Sequence, residues 1–382
     1  MKNENLVPKV RFKGFSDPWE QRKLGDLFEY ERPDKYIVNS DQYSSNGIPV
    51  LTANKSFILG YTHENNVYNK GKSIIFDDFT LDMKFVNFPY KVKSSAIKIL
   101  TAKNNINLRF GFELLKHTKF TQEGHARHYI SIVQPTKVKV PIKAEQIQLS
   151  NLSSIVDSLI AANEDELEQL KTLKKLLMQK IFSQEWRFKG FTDPWEQRKL
   201  SDVVKRITRK NKKLESTLPL TISAQYGLVD QHTFFDKQVA SRDVSGYYLI
   251  KKGEFAYNKS YSNGYPVGTI KRLEKYSEGV LSTLYILFKP VQVDSQFLVT
   301  YFEGNMWYTE IMKRATEGAR NHGLLNIAPK DFFEMNLFIP TIDEQVKVGI
   351  IIQVVDDLIA ANEDKLQQLK ELKKYLMQNM FV

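Results

Sequence analysis

Asp157–Phe182, DSLIAANEDELEQLKTLKKLLMQKIF, returns at Asp356–Phe381 as DDLIAANEDKLQQLKELKKYLMQNMF, with 19 of 26 positions identical. Around the first copy, apolar residues at Leu152, Val156, Leu159, Leu170, Leu173, Leu177 and Ile181 step by threes and fours or their multiples. Ile351, Val355, Leu358, Leu369, Leu372, Leu376 and Met380 repeat the pattern. That period belongs to an amphipathic helix. Neither stretch holds Gly or Pro, and both are rich in good helix formers. Two long helices separated by unlike sequence predict a spacer carrying two heads.

A second repeat fixes the organisation. Arg11–Asp26 reads RFKGFSDPWEQRKLGD and Arg187–Asp202 reads RFKGFTDPWEQRKLSD, 14 of 16 identical. The offset is 176 residues here and 199 between the long helices, so the second head is 23 residues longer. The predicted segments are a head over 1–140, a spacer helix over 141–186, a second head over 187–339 and a second helix over 340–382.

Each head reads as mixed α/β, an α+β fold with an internal pseudo-two-fold repeat. In the first, Ile48–Leu51, Ser73–Phe76, Ala96–Leu100 and Lys137–Val140 have strand composition, and Ile106–Thr118 helix composition. In the second, strands are predicted at Leu218–Ile222, Glu254–Tyr257, Leu281–Phe288 and Glu334–Ile339, with a helix over Gln296–Arg314. Pro141 and Pro340 end the last strands, and Glu145-Gln146 and Glu344-Gln345 open the helices. Thr341 with Glu344 has the capping-box pattern, which Ile142 with Glu145 lacks.

A helix of about 40 residues, about 60 Å long, must bury its stripe, and its duplicate is the obvious partner. An antiparallel coiled coil is expected, with the heads at opposite ends. Leu159, Leu170 and Leu177 would pair against Leu358, Leu369 and Leu376. Asn163 and Asn362 fall in the stripe near mid-helix, and in a centred register they would meet and fix it.

The formal charge is +11, yet 141–182 carry −1 and 340–382 carry −2, leaving +14 on the rest. Near-neutral helices and basic heads point to a polyanion on the heads, most simply nucleic acid. No stretch approaches 18 apolar residues, and the start, MKNENLVPKVRF, has no apolar signal region. Zero cysteines exclude disulfides and thiolate metal sites and fit a reducing cytoplasm.

Catalytic motifs are missing. There is no HExxH, no GxxxxGK[ST] and no GxGxxG after a strand. Asn87–Tyr90, NFPY, is similar to the NPPY loop of amino-methyltransferases but lacks its double proline, and reads as a turn. Asp77-Asp78 lacks the following lysine-bearing strand of a metal nuclease. The informative segments are loops between each head's late helix and its final strand: His125, Arg127 and His128 beside Gly124, and Arg320, Asn321 and His322 beside Gly318. Arg holds guanine bidentately, Asn holds adenine, and either anchors phosphate. A second candidate is Tyr257–Tyr265, with Lys259, Ser260, Tyr261 and Asn263; its counterpart in the first head, Phe76–Lys84, ends on Lys84. Lys91 and Lys93 beside Tyr90 complete the set of expected DNA contacts.

PWEQRKLGD and PWEQRKLSD opening each head, and P-x3-EQ followed by LIAANE and LKxLKKxLMQ in each spacer, resemble the DNA specificity subunit of type I restriction–modification enzymes over the whole chain. The resemblance implies two target recognition domains, each reading half of a bipartite duplex site, and paired helices acting as a ruler. It further implies docking of two copies of a modification subunit that supplies S-adenosylmethionine and adenine methylation. Restriction subunits would add ATP- and Mg-dependent translocation and cleavage, so the chain itself would be noncatalytic and bind no cofactor. The alternatives are a related bipartite-site restriction system, a self-contained DNA enzyme, or an adaptor whose basic heads bind RNA or protein.

Overall fold

The computed structural model describes residues 7–54, 56–103, 105–121, 127–236, 240–260, 264–315 and 325–381. The chain divides into two compact units, Met1–Asp165 with Glu363–Val382, and Glu166–Asn362. Both boundaries fall inside long helices, Lys143–Phe182 and Ile342–Met380, rather than at the head–helix junctions. Each unit therefore contains one head, the opening half of the helix that follows it and the closing half of the other.

In the first unit, Phe28–Glu31, Ile97–Ala102, Ser73–Asp77 and Met83–Val86 form a four-stranded sheet in that order. Ile48–Leu51 lies between Ile58–Thr62 and the parallel Lys91–Val92 in a smaller sheet. The sheet alternates as a two-faced sheet must. Ile74, Phe76 and Leu100 join the core that holds the helix Leu108–His117, while Ile75, Ile97 and Ile99 join a second core with Tyr68 and Tyr90. NFPY is a structural turn: Tyr90 is buried and its hydroxyl bonds Ser73 Oγ at 2.8 Å.

The second unit repeats the four-stranded sheet with Val204–Ile207, Ile286–Pro290, Phe255–Asn258 and Thr269–Arg272. Two expected elements differ. The single strand predicted over Leu281–Phe288 is two strands, Glu278–Leu281 and Ile286–Pro290, turned at Ser282–Tyr285. The helix predicted over Gln296–Arg314 is also two, Ser295–Glu303 and Tyr308–Arg314. Gly304 closes the first, and Trp307 folds back to donate its indole N–H to the carbonyls of Phe302 and Gly304, so apolar periodicity runs across a real break.

The repeated residues are the clamp that joins head to helix. Glu20–Lys23 pairs antiparallel with Lys137–Val140, and Glu196–Lys199 with Asn336–Ile339. PWEQRK therefore forms a ribbon with the strand that runs into each helix. Trp19 contacts Phe110 and Phe381 edge-on at 6.1 and 6.3 Å; in the second unit Trp195 contacts Phe297 and Phe182 at 6.0 and 5.8 Å. Arg11 donates to both oxygens of the buried Glu145 at 2.7 and 2.8 Å, and Arg187 to both of Glu344 at 2.6 and 2.8 Å. Glu344 thus holds Arg187 instead of closing the predicted capping box. Removing one partner of such a buried pair costs about 3–5 kcal/mol. Gln146 and Gln345 donate back to the carbonyls of Pro141 and Pro340, and accept from the backbone N–H of Asn107 and Asp294, the caps of the head helices. Each residue of P-x3-EQ is therefore accounted for.

Helix packing is antiparallel within each unit. Asp157 pairs with Lys373 and Glu164 with Lys370 in the first, and Lys174 with Asp356 in the second. Leu149 and Leu152 share a core with Leu376, Met377 and Met380, and Leu177 and Ile181 share one with Val348 and Ile351. Leu170 and Leu369 are half-buried. Leu159 and Leu358, expected to pair, are instead 48% and 51% exposed. The buried stripe steps Val156, Ile160, Asn163 and Val355, Ile359, Asn362, four residues then three, which turns the preceding leucine outward.

Candidate nucleic-acid interface

In both heads the turn after a sheet strand is tied to a segment ahead of the final strand by the same backbone construction. In the first, the turn after Ser73–Asp77 meets the end of the loop preceding the helical turn Tyr129–Val133. The Asp78 carbonyl accepts from the backbone N–H of His128 at 2.9 Å, and Asp78 Oδ1 accepts from that of Tyr129 at 2.7 Å. In the second, the Lys259 carbonyl, just after Phe255–Asn258, accepts from the N–H of Leu325 at 3.0 Å. The wide turn of the second head requires glycine at Gly268. Its φ is +81°, and a Cβ there would lie 2.1 Å from the Asn258 carbonyl.

Lys98 Nζ lies 3.2 Å from Asp78 Oδ2, both side chains being almost wholly buried. Arg127 Nη1 stands 3.8 Å from the same oxygen, its guanidinium 5.5 Å over the Phe79 ring and its side chain 46% exposed. Asp78 is thus committed to an ion pair and to loop anchoring, consistent with rejecting it as half of a metal pair. Among the described residues no cluster of His or carboxylates has metal-ligand geometry.

Two expected contacts are contradicted by burial. Lys91 is 2% exposed, donating to the Asn65 carbonyl at 2.8 Å beside Glu64. A strand edge turned into the second core left it no route to solvent. His128 is fully buried, with Nδ1 3.0 Å from the Asp78 carbonyl, because it opens the turn that carries Tyr129 into the core. Lys93 stays at the surface, paired with Asp41 and 5.7 Å over the Tyr43 ring; the Asp41 hydrogen bond raises its pKa. Lys84 is half-buried opposite Ile75, and Lys259 and Ser260 are half-buried at the base of their loop. His125, Tyr261, Asn263, Arg320, Asn321 and His322 lie outside the described residues.

The base of the second head's loop has its own anchor. Glu310 Oε2 accepts from Arg314 Nη1 at 2.7 Å and from the Asn336 N–H at 3.0 Å, and Arg314 also donates to the Glu334 carbonyl at 2.9 Å. Burial opposes ionisation of Glu310, but hydrogen bonds from Lys313, Asn336 and Arg314 outweigh it and hold the carboxyl at about 2. Neither this cluster nor the Asp78–Lys98 pair was expected. A lone Lys98 inside the apolar run IKIL was the available sign of the second.

A further surface sits on the helices. Ile147, Ile155 and Leu159 are exposed on one, and Val346, Val354 and Leu358 occupy the positions 199 residues later on the other, with Ile350 between. Residues four apart share a helix face, so Val346, Ile350, Val354 and Leu358 form a continuous apolar stripe facing away from the buried seam, while the stripe of Ile147, Ile155 and Leu159 is interrupted by Asn151.

Two unlike heads in near-identical clamps, each followed by a helix with exposed apolar residues facing away from its seam, define a class: a duplicated two-headed scaffold. Residues 16–172 match the family model of the type I restriction modification DNA specificity domain. The specificity subunit of an Escherichia coli type I restriction enzyme is 36% identical over 193 aligned positions, covering 45% of this chain and 48% of that protein. The chain therefore matches about half the length of that relative. A Methanocaldococcus jannaschii type I specificity subunit is 23% identical over 398 aligned positions, covering 94% of this chain and 91% of that one. Among solved structures, the S subunit of a type I restriction-modification system from M. genitalium superposes with TM-score 0.67 at 15% identity, over 98% of this chain and 99% of that one. That likeness establishes the shared fold. No helix among the described residues is long and apolar enough to cross a membrane.

Proposed function

We propose that this chain is the noncatalytic sequence-reading component of a type I restriction–modification assembly. Each head reads one half of an asymmetric, bipartite double-stranded DNA site through its paired loops, and the antiparallel helices set the gap between the halves. The observation that carries this reading is the contrast inside each unit. The residues that clamp head to helix are repeated almost identically, while the interiors between them differ in sequence and in length. A duplicated enzyme would keep its chemistry in the repeated part; a two-target reader keeps its scaffold and varies its loops.

The two apolar stripes fit two copies of one adenine methyltransferase subunit, since equal surfaces accept equal partners. S-adenosylmethionine would be bound by those subunits, and ATP and Mg by restriction subunits joining the complex. Methylome sequencing of cells expressing the chain with a methyltransferase subunit tests the reading. The expected result is adenine methylation in one two-part motif with a fixed gap; methylation at a single undivided motif, or none above background, would overturn it.

A further inference from the structure

We infer that Asp78 is the positioning residue of the first head, holding Arg127 over Phe79 so that its guanidinium addresses one guanine edge in the first half-site. The inference rests on the duplex reading proposed above. Asp78 makes contacts in three directions: its carbonyl holds His128, Oδ1 holds the Tyr129 N–H, and Oδ2 faces Lys98 and Arg127. Together they fix the backbone that follows Arg127 and give its side chain a direction. The Phe79 ring supplies the remaining constraint, a flat surface beneath the guanidinium.

A phosphate contact needs only charge, and a swinging lysine serves it. A guanidinium confined by a ring and a carboxylate has a defined plane, which is what bidentate contact with guanine O6 and N7 requires. The buried Lys98 has a part in this. A buried carboxylate beside the reading group would repel the duplex and cancel the charge of Arg127. Lys98, 3.2 Å from the same oxygen, neutralises it from below and leaves the arginine charge for DNA. In the second head the Lys259 carbonyl holds Leu325 in the same way, but the residue there is a lysine and supplies no carboxylate, so the effect belongs to one half-site.

The test uses the full chain with its methyltransferase partner, a randomised duplex pool, and then the selected duplex carrying every single base-pair replacement. Asp78→Asn, Phe79→Leu and Arg127→Lys are each expected to reduce discrimination at the same base pair of one half-site about tenfold. The other half-site and the slope of log Kd against log salt should stay as in the parent. A uniform loss across the first half-site, or a shallower salt slope with an unchanged base profile, would overturn the inference. Should Asp78→Asn unfold the head, Arg127→Lys at a half-exposed side chain still decides. A parent complex that enriches no sequence from the pool overturns the duplex reading itself, before any substitution is made.

Discussion

Phe381 stacks on Phe110 with ring centroids 5.8 Å apart and planes 14° from parallel. The final turn of the second long helix thus completes the core of the first head, a contact linking residues 271 positions apart in the sequence. Phe381→Ala removes this ring from a site it shares with Trp19 and His117. Loss of about 3–5 kcal/mol from the first unit is expected. Hydrogen exchange should show faster opening at Leu108–His117 with Ser295–Glu303 unchanged; equal acceleration in both helices would contradict this.

Glu310 sets an acid limit for the second unit. Its carboxyl is held at about 2 in the folded chain, against an ordinary 4.5. The folded pKa is depressed, so its contribution is complete above 4.5 and is lost as pH falls from 4.5 towards 2. The contribution is at most about 3.4 kcal/mol by the usual conversion. Melting of the parent and of Glu310→Gln across that window should converge as pH falls. A constant difference would show that the carboxylate is not the group titrating.

The exposed stripes predict a stoichiometry. Ile155→Glu places a charge on the stripe of the first unit, and Val354→Glu does so at the matching position of the second. Either change should reduce the methyltransferase copies per chain from two to one in native mass spectrometry, and both together should abolish docking. Because these side chains already face solvent, the melting temperature should hardly move. Retention of two copies by the double variant would remove the stripes as the docking surface.

Lengthening the helices should lengthen the site. Seven extra residues in each, two turns or about 10 Å, inserted so that the seam keeps its heptad phase, should widen the gap by about 3 base pairs at 3.4 Å each. A methylome with the parental gap would end the ruler description.

Asn163 and Asn362 are buried, and among the described residues Asn163 Nδ2 and Oδ1 and Asn362 Oδ1 make no hydrogen bond. Leucine at either position removes polar atoms that burial penalises, so Asn163→Leu and Asn362→Leu should each raise stability by about 1 kcal/mol. The expected cost is register: engineered cysteine pairs along the helices should cross-link in more than one alignment in the double variant. Unchanged stability together with a single alignment would leave both residues without a role in pairing.

The frame was legible in the sequence because duplication marks what is shared. Trp19, Glu145 and Gln146 stand out by having copies, and each copy makes the same contact. The pairing stripe was legible only to within a residue, since Leu159 and Ile160 are both apolar and only packing chooses between them. Lys91 and His128 misled because basic residues beside aromatics look alike whether they face a duplex or a core; burial is set by strands distant in sequence. Trp307 hid the break in its helix, because an aromatic at the right spacing continues an apolar pattern even where the backbone has turned.

The clasp between Arg11 and Glu145, and its copy between Arg187 and Glu344, has a consequence for inheritance. The ion pair and the glutamine that fasten each head to its helix lie in the duplicated borders, and their partners in the interiors, Asn107 and Asp294, contribute only backbone N–H groups. Genetic exchange with crossovers in the PWEQRKL segment and in the EQ that opens the helix would transplant a whole interior and rebuild the clasp unchanged. Such a chain can acquire a new target in one event, without passing through an intermediate that fails to fold.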